Sequence, residues 1–329
     1  MGCKSSKAVE EPAPAVSEVK EEVVPVEDPQ PETPEPEPSR EYDPDDEQFP
    51  EDPLFGRSLS IQADEWRELP RGMKYRGEWQ GGRQHGRGEM RYADGGSYTG
   101  DFVDGKAVGY GRYVGRDGSS YTGKFVDGKA DGYGVYLFKD GSKYMGPFEG
   151  DKRHGRGKEI QADGLVYMGD FEKGRKEGVG TLTAPNGEVY DGQFRNGEIH
   201  GRGVYKWPDG RVYEGDWNSS RQNGNAVFRW PDGRVYQGNY ADGKINGEGV
   251  LIWPDGRKYE GTWRNGVQNG EGRYYATPHE SRNAQWMDGV RVKWLSDPEP
   301  VSAEAAEQSV AKYKELEAEL IEKYGLSAA

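Results

Sequence analysis

The residues of this chain whose types and spacing could support chemistry lie at its N-terminus, Met1-Gly2-Cys3-Lys4-Ser5-Ser6. Glycine at position 2 with serine at position 6 is the pattern for N-myristoylation, and the adjacent Cys3 is a usual place for a thioester-linked palmitate. One myristoyl chain binds a membrane weakly, and a second chain makes the attachment stable. The sequence therefore predicts an anchor made of N-myristoyl Gly2 and S-palmitoyl Cys3. The alternative is an ordinary start that happens to read Met-Gly-Cys.

Other residue patterns resemble chemical motifs less closely. Gly123 to Ala130 has the spacing of a phosphate-binding loop, but Ala130 stands where a serine or threonine would bind magnesium. His85 and His154 occupy the same phase of a repeat, and at two strands per repeat they would lie ~29 Å apart, too far to share a metal ion. Acidic pairs recur with the same period, whereas general acid–base catalysis needs a singular site. We therefore expect no catalytic residue, no metal site and no cofactor.

A 23-residue repeat underlies these recurrences and must position every side chain within it. The motif Tyr-x-Gly-x-aromatic occurs nine times in phase, at Tyr75, Tyr98, Tyr121, Tyr144, Tyr167, Tyr190, Tyr213, Tyr236 and Tyr259. Each copy continues with a Gly-x-Gly strand and a turn such as Asp94-Gly95. Strands bounded by such turns predict consecutive antiparallel hairpins. The fold class is therefore all-β, an elongated single-layer hairpin array of roughly 90 Å for nine hairpins.

Alternation of side chains along a strand predicts what this array buries. Tyr75, Gly77 and Trp79 share one face, and Arg76 and Glu78 point to the other. The glycines leave room for an aromatic ring to lie over the backbone. We therefore expect the core to be a stripe of rings on glycines.

Composition divides the chain into three segments. Residues 1–68 read as an acylated, acidic, Pro/Glu-rich disordered arm, because they offer almost nothing to bury. Residues 69–295 hold nine full repeats and degenerate caps, the last with Arg282, Ala284 and Trp286 in place of the motif. Residues 296–329 are predicted to contain an amphipathic helix over 302–324, whose apolar stripe is Val310, Tyr313, Leu316, Leu320 and Tyr324. That helix is expected to cap the array, fill its groove or pair with another copy.

The charges exclude some classes of partner. Residues 1–70 carry 6 Lys/Arg against 20 Asp/Glu, residues 71–295 carry 35 against 30, and residues 296–329 carry 3 against 8. Binding to nucleic acid needs a concentrated basic patch, so no nucleic-acid partner is predicted. The single cysteine allows no disulfide framework within the chain and favours a reducing, intracellular setting.

The repeat resembles the MORN-repeat family, whose units carry Tyr-x-Gly-x-Trp/Phe, Gly-x-Gly and Asp-Gly at this spacing, over residues 69–289. The resemblance implies a β-ribbon that acts in membrane-associated or cytoskeletal scaffolds, is often dimeric, and in some members is joined to a kinase or methyltransferase domain. The segments outside the repeats are too short for a catalytic core. The expected function is a non-enzymatic scaffold on the cytoplasmic face of a plasma, ciliary or other internal membrane. Cytoskeletal or ciliary proteins are the expected partners, and a homodimer is a further expectation.

Breaks in the period are where a binding function is expected. Pro147 cannot donate to a strand ladder and Gly150 comes one residue early, so the fourth repeat is a candidate bend. In the seventh repeat Ser220 and Ala226 replace glycines, which leaves the geometry of that turn open. The sequence Trp-Pro-Asp-Gly occurs only in the C-terminal half, and Trp and Tyr side chains favour protein interfaces. The predicted partner groove comprises Trp207, Tyr213, Trp217, Trp230, Tyr236, Tyr240, Trp253, Tyr259 and Trp263.

An alternative function is binding of phosphoinositide headgroups by the repeats themselves. Such a module needs a cationic face. The candidate cluster is Lys152, Arg153, Arg156 and Lys158. The nearly neutral repeat body disfavours this alternative.

Overall fold

A computed structural model describes residues 59–61 and 65–324. The predicted acylation sites Gly2 and Cys3, and most of the predicted arm, lie outside the described residues. All described residues belong to one compact unit. Within it, the chain forms twenty-three strands of one antiparallel sheet, a 3-10 turn at Pro70–Gly72 and one helix, α1 (Ala303–Tyr324). The predicted all-β hairpin sheet with a single C-terminal helix is confirmed.

The strands follow one another along the chain as hairpins. They are β1 (Arg67–Glu68), β2 (Lys74–Gln80), β3 (Arg83–Arg91), β4 (Ser97–Val103), β5 (Lys106–Val114), β6 (Ser120–Val126), β7 (Lys129–Leu137), β8 (Lys143–Glu149), β9 (Lys152–Arg153), β10 (Gly155–Ile160), β11 (Val166–Glu172), β12 (Arg175–Thr183), β13 (Val189–Arg195), β14 (Glu198–Lys206), β15 (Val212–Asn218), β16 (Arg221–Arg229), β17 (Val235–Ala241), β18 (Lys244–Ile252), β19 (Lys258–Arg264), β20 (Val267–Thr277), β21 (Glu280–Met287), β22 (Val290–Trp294) and β23 (Glu299–Pro300). The sheet thus begins two residues before the predicted array, and its last strand ends at Pro300.

Each repeat has the same strand register. In the first hairpin Gly77 pairs with Gly88, and the register then shifts so that Trp79 pairs with Gln84. The turn that follows a Tyr-x-Gly-x-aromatic strand holds two residues in the left-handed region, as at Asp104 (φ 50°) and Gly105 (φ 85°). Two positive φ values define the type I′ turn, whose twist matches that of the flanking strands. Asp-Gly or Asn-Gly, which occupies this turn in five of the nine repeats, is suited to it.

The aromatic ladder is the core of the sheet. In eight of the nine repeats the motif tyrosine lies over two paired glycines of its own repeat, and in the seventh Ala226 replaces one of them. A Cβ added at Gly77 would lie 2.6 Å from Tyr75 Oη, and one at Gly88 would meet the same ring. The Tyr75 hydroxyl donates to Glu78 O at 2.9 Å. Tyr75 also makes edge-to-face contacts with Trp79 and with Phe102 of the next repeat, both at 5.2 Å between ring centroids. The expected stripe of rings on glycines is confirmed, and the covering ring belongs to the same repeat as the glycines.

Ring contacts of this kind continue through all nine repeats to the degenerate tenth unit. Tyr259 lies 5.2 Å from Trp286, which takes the place of the motif aromatic there. Edge-to-face pairs contribute about 0.5–1.5 kcal/mol each beyond the burial of area. We call the side of the sheet that carries these rings the ladder face, and the other side the opposite face.

The fourth and seventh repeats depart from the pattern in different ways. Gly150 (φ 52°) and Asp151 (φ 71°) form the same kind of turn as an Asp-Gly pair with the residue order reversed. Pro147 remains inside β8, and it is the partner strand that is interrupted, at His154, whose N–H donates to Pro147 O at 3.1 Å. In the seventh repeat Ser219 (φ 46°) and Ser220 (φ 60°) keep the left-handed turn without a glycine.

Helix α1 packs on the opposite face of the C-terminal repeats. The Tyr313 hydroxyl donates to Gly233 O at 2.6 Å, and Lys323 Nζ lies 2.9 Å from Glu214 Oε1. Glu214 follows the ladder residue Tyr213 directly, so its side chain points to the opposite face. Ala306 is 1% exposed and Tyr313 is 9% exposed. The helix therefore packs on the sheet of its own chain, on the face opposite the predicted partner groove.

Candidate functional site

Three tryptophans form a row beside the ladder, on the same face of the sheet. Trp207, Trp230 and Trp253 each open a Trp-Pro-Asp-Gly-Arg turn, and each is partly buried against the aromatic core. Trp207 lies 4.5 Å from the ring of Tyr205 and 5.6 Å from that of Phe228. The row therefore leaves part of each indole accessible to solvent, and we call these three residues the tryptophan row.

Charged side chains hold each ring of the tryptophan row in place. The guanidinium of Arg211 lies 4.9 Å from the Trp207 ring, and its Nε is 2.8 Å from Asp209 Oδ2. The same arrangement recurs one repeat later, where Arg234 lies 5.0 Å from the Trp230 ring. It recurs again at Trp253, where Arg257 lies 5.6 Å from the ring. Cation–π stacking restricts each indole, which lowers the entropy cost of binding a partner.

The other six residues of the predicted groove are buried in the ladder. Their exposed fractions are 0% for Tyr213, Tyr236 and Tyr259, 8% for Trp217, and 6% for Tyr240 and Trp263. Trp217 Nε1 also donates to Gly203 O at 3.2 Å, as Trp263 Nε1 does to Gly249 O. A partner could contact these rings only if the repeats unpacked. The part of the predicted groove that a partner can reach is therefore the tryptophan row.

A second aromatic group, which is not among the predicted binding residues, lies on the ladder face of the N-terminal half. Tyr92 and Tyr113 lie 6.1 Å apart, and Tyr136 and Phe138 lie 4.6 Å apart. These residues occupy the same two second-strand positions as Tyr205 and Trp207. The period itself could have shown this, because the positions differ by multiples of 23 residues.

An ionic cluster separates the two aromatic groups. Glu159, on the ladder face of the fourth repeat, forms ion pairs with Arg153 and with Lys176, whose Nζ lies 3.0 Å from Glu159 Oε1. The Arg153 guanidinium lies 5.0 Å from the Phe171 ring, and Lys176 Nζ lies 4.8 Å from the Tyr167 ring. Burial alone would raise the pKa of Glu159, but the charges of Lys176 and Arg153 outweigh it and hold the pKa below its usual value.

The predicted headgroup cluster does not form one surface. Arg153 lies on the ladder face, where it pairs with Glu159. Lys158 pairs across the strands with Met145 and Met168, which alternate with the ladder tyrosines, so Lys158 points to the opposite face. Arg156, two residues earlier in the same strand, shares that face with Lys158, and Lys152 is exposed beside the turn. The four cations are therefore divided between the two faces.

The geometry offers little for catalysis or metal binding. Burial raises the pKa of Tyr75 to about 12, and it raises the pKa values of the other ladder tyrosines in the same direction. The segment that resembles a phosphate-binding loop, Gly123 to Ala130, lies across the hairpin of β6 and β7. Among residues 59–61 and 65–324, no three His, Cys, Asp or Glu side chains are placed to share a metal ion. No helix in this part of the chain is long and apolar enough to span a bilayer.

A cavity of about 160 Å³ lies between α1 and the sheet. Its walls include Ile252, Pro254 and Tyr275 from the repeats and Val310 and Tyr313 from the helix. The helix is thus incompletely packed on the opposite face, and its position leaves the tryptophan row on the other face uncovered by α1.

The structure has distant likenesses among solved proteins. A point mutant of the TCP10 domain of Danio rerio CPAP has a TM-score of 0.34 and 11% identity, covering 71% of this chain and 100% of that one. The TCP domain of Drosophila melanogaster SAS-4, solved with a proline-rich motif of Ana2, has a TM-score of 0.32 and 16% identity, covering 54% and 90%. A comparison of the sequence with curated proteins returned no relative.

The repeats themselves match a known family. The MORN repeat matches nine segments in succession, residues 75–97, 98–120, 121–143, 144–166, 167–189, 190–210, 213–233, 236–256 and 259–277. These segments follow the strand register and the ladder described above, and together they cover more than half of the chain. This protein therefore belongs to the MORN-repeat family.

Proposed function

We propose that this MORN-repeat protein is a non-enzymatic scaffold that binds protein partners through the tryptophan row. The observation that carries the proposal is the contrast between two sets of rings on one face. The ladder tyrosines are buried, whereas Trp207, Trp230 and Trp253 are only partly buried. Stability of the array does not require three indoles at positions where other repeats have Ala184 or Gln161.

The chemistry of the row suits protein recognition. Tryptophan and arginine are enriched among the residues that dominate binding energy at protein interfaces. The row alternates indoles with Arg211, Arg234 and Arg257, and each arginine is already balanced by an aspartate of its own turn. The surface is therefore aromatic and nearly neutral, which favours a partner that buries apolar side chains. Cytoskeletal or ciliary proteins remain the proposed class of partner.

Proximity labelling tests this proposal. The full chain carries a biotin ligase at its C-terminus, and cells expressing the wild type are compared with cells expressing Trp207→Ala, Trp230→Ala and Trp253→Ala together. We expect a set of proteins labelled by the wild type to be lost in the triple variant. A matched control, Tyr92→Ala with Tyr113→Ala, changes rings of the N-terminal group and should keep that set. Equal labelling by all three folded proteins would contradict the proposal.

Membrane attachment is a separate part of the proposal. It rests on Gly2 with Ser6 and on Cys3, and it would hold the scaffold on the cytoplasmic face of a membrane. We expect the wild type to incorporate a myristate analogue and to sediment with membranes. Gly2→Ala should abolish both properties, and Cys3→Ser should make attachment reversible, because a single acyl chain binds marginally. A Gly2→Ala protein that stays with membranes would contradict the anchor.

The phosphoinositide alternative has weaker support, because its four cations are divided between two faces. Flotation of the unacylated full chain with vesicles containing phosphatidylinositol bisphosphate separates the alternatives. The scaffold proposal predicts no binding to these vesicles, whereas binding that Arg156→Glu and Lys158→Glu abolish would favour the lipid-binding function. Light scattering of the same protein tests the proposed homodimer directly.

A further inference from the structure

We infer that residues 41–58 of this chain bind the opposite face of its own N-terminal repeats, as α1 binds that face of the C-terminal repeats. The surface consists of two cross-strand rows from β2 to β12, which alternate with the ladder residues and which we call the N-terminal strip. One row runs from Arg76 to Thr181, and the other runs from Lys74 to Thr183. The tryptophan row lies on the other face of the sheet and is separate from this surface.

Apolar side chains of the N-terminal strip are buried, although α1 does not reach them. Val135, Met145 and Met168 are 6%, 2% and 4% exposed. The end of α1 contacts Glu214 on β15, four strands and thus about 19 Å from Met168 on β11. Burial also raises the pKa of Tyr133, on the same face, to about 12. The second face of a single antiparallel sheet is ordinarily solvated, so this burial indicates a covering segment other than α1.

The charges of the N-terminal strip select an acidic segment. Its two rows carry six cations against one carboxylate, Glu89. The cations are Lys74, Arg76, Arg91, Arg112, Lys143 and Lys158. Residues 41–52 carry seven Asp or Glu and no Lys or Arg. Because this acidic segment belongs to the same chain, its effective concentration at the strip is high, which favours it over a separate acidic protein.

The chain enters the sheet at the beginning of the N-terminal strip. The Trp66 ring lies 4.9 Å from the guanidinium of Arg76 and 4.2 Å from that of Arg91, and both arginines belong to the strip. The strip is about 43 Å wide at ~4.8 Å per strand. The 18 residues of segment 41–58 can span about 56 Å at ~3.1 Å per residue. The segment is therefore long enough to follow the strip from the point where the chain enters.

Aromatic residues distinguish this segment from the preceding part of the chain. The aromatic residues before Trp66 are Tyr42, Phe49 and Phe55. Residues 1–40 contain none. Segment 41–58 can therefore bury rings against the apolar members of the strip, which residues 1–40 cannot do.

This contact would shorten the tether between the array and the proposed membrane anchor. Residues 1–40, instead of the whole predicted arm, would then separate Gly2 from the sheet. That consequence rests on the proposed acylation, whereas the contact itself does not.

Distances between two spin labels test the inference on the full chain. The labels are attached at Gln48→Cys and at Val126→Cys, an exposed position at the end of β6, with Cys3→Ser in every protein. We expect a narrow distribution of distances that broadens at high salt, because the contact is partly ionic. Arg112→Glu with Lys158→Glu should also broaden it, since two attractive contacts become repulsive. Thermal melting confirms that this variant is folded.

Matched variants separate charge from packing. Arg195→Glu with Lys244→Glu reverses two exposed cations of the C-terminal repeats and should leave the distribution narrow. Phe49→Ser with Phe55→Ser leaves every repeat residue unchanged and should broaden the distribution without altering any charge.

A label at Glu21→Cys, in place of Gln48→Cys, gives the reference for residues 1–40 and should produce a broad distribution. The inference is overturned if the Gln48 and Glu21 distributions are equally broad, or if reversing Arg112 and Lys158 leaves the Gln48 distribution narrow. It is also overturned if the narrow distance appears in mixtures of singly labelled proteins, because the segment would then bind a second copy.

Discussion

Lys176 Nζ lies 3.0 Å from Glu159 Oε1 on the ladder face. Glu159 occupies the strand position at which the neighbouring repeats have Tyr136 and Leu182. Arg153 approaches the same carboxylate from the other side. The side chains of Glu159 and Lys176 are 11% and 15% exposed, so the charges are largely removed from water. The cluster replaces apolar packing with an ionic contact at the boundary between the two aromatic groups.

The first prediction concerns this cluster. Glu159→Leu alone leaves two partly buried cations without their carboxylate, and we expect it to destabilise the fold by about 2–4 kcal/mol. Adding Arg153→Ala and Lys176→Ala removes both cations and places at these positions the alanine that the second and third repeats have, Ala107 and Ala130. We expect the triple variant to recover most of the stability, because apolar replacement of a whole buried ionic cluster is often neutral or stabilising. Urea unfolding measures both, and a triple variant as unstable as Glu159→Leu would refute this account.

The second prediction concerns the turn of the seventh repeat. Ser220 has a φ of 60°, in the left-handed region that costs a non-glycine residue about 1 kcal/mol. Ser220→Gly should therefore raise the free energy of unfolding by about 0.5–1 kcal/mol, although it loses the contact from Ile199 N to Ser220 Oγ. The reciprocal change one repeat later, Gly243→Ser, should lower stability by a similar amount. The melting temperatures of the two variants test this account, because changes of the same sign in both would show that turn strain is not the cause.

The third prediction concerns the attachment of α1. Tyr313→Phe removes the hydrogen bond to the Gly233 carbonyl, which is worth about 1 kcal/mol. The detached population of the helix should then rise about fivefold, and hydrogen exchange of residues 303–324 should accelerate accordingly. Exchange of the N-terminal strands β3 to β7 should not change, because α1 packs on the C-terminal repeats.

Lys312→Ala is the control for the helix prediction, because Lys312 is exposed on α1. It should leave the exchange of the helix nearly unchanged. If Tyr313→Phe and Lys312→Ala exchange alike, the Tyr313 contact does not hold the helix.

The fourth prediction concerns alkaline pH. Burial raises the pKa values of Tyr75 and Tyr259 to about 12 in the folded protein, whereas their ordinary value is 10.0. Above pH 10 the unfolded chain loses these phenolic protons first, so the free energy of unfolding should fall as pH rises from 10 towards 12. Below pH 9 these groups contribute no pH dependence. Melting temperatures across this range measure the effect.

The matched variant for the alkaline prediction is Tyr75→Phe with Tyr259→Phe. It removes two of the groups that titrate, so its melting temperature should fall less steeply above pH 10 than that of the wild type. Parallel curves for the two proteins would assign the alkaline loss of stability to other groups, such as lysines.

The local rules of the repeat were readable from the sequence because each depends on neighbouring residues. Asp104-Gly105 specifies a type I′ turn through its backbone preferences, and strand alternation places Tyr75, Gly77 and Trp79 on one face. The nine-fold period then extends one hairpin into a sheet, since every repeat has the same partner before and after it. These features predicted the fold class, the ring-on-glycine core and the helix over 302–324, which the structure begins at Ala303.

Tertiary packing decided which of the similar residues are available for binding. The sequence placed Trp217 and Trp230 in one groove. Trp217 is buried because the Tyr190 ring of the preceding repeat packs against it at 5.5 Å, whereas Trp230 remains partly exposed. The pairing of Glu159 with Arg153 and Lys176 depends on contacts across three strands, so it divided a basic cluster that looked continuous in sequence. The position of α1 likewise depends on Tyr313 reaching Gly233, 80 residues away, and no local pattern encodes that contact.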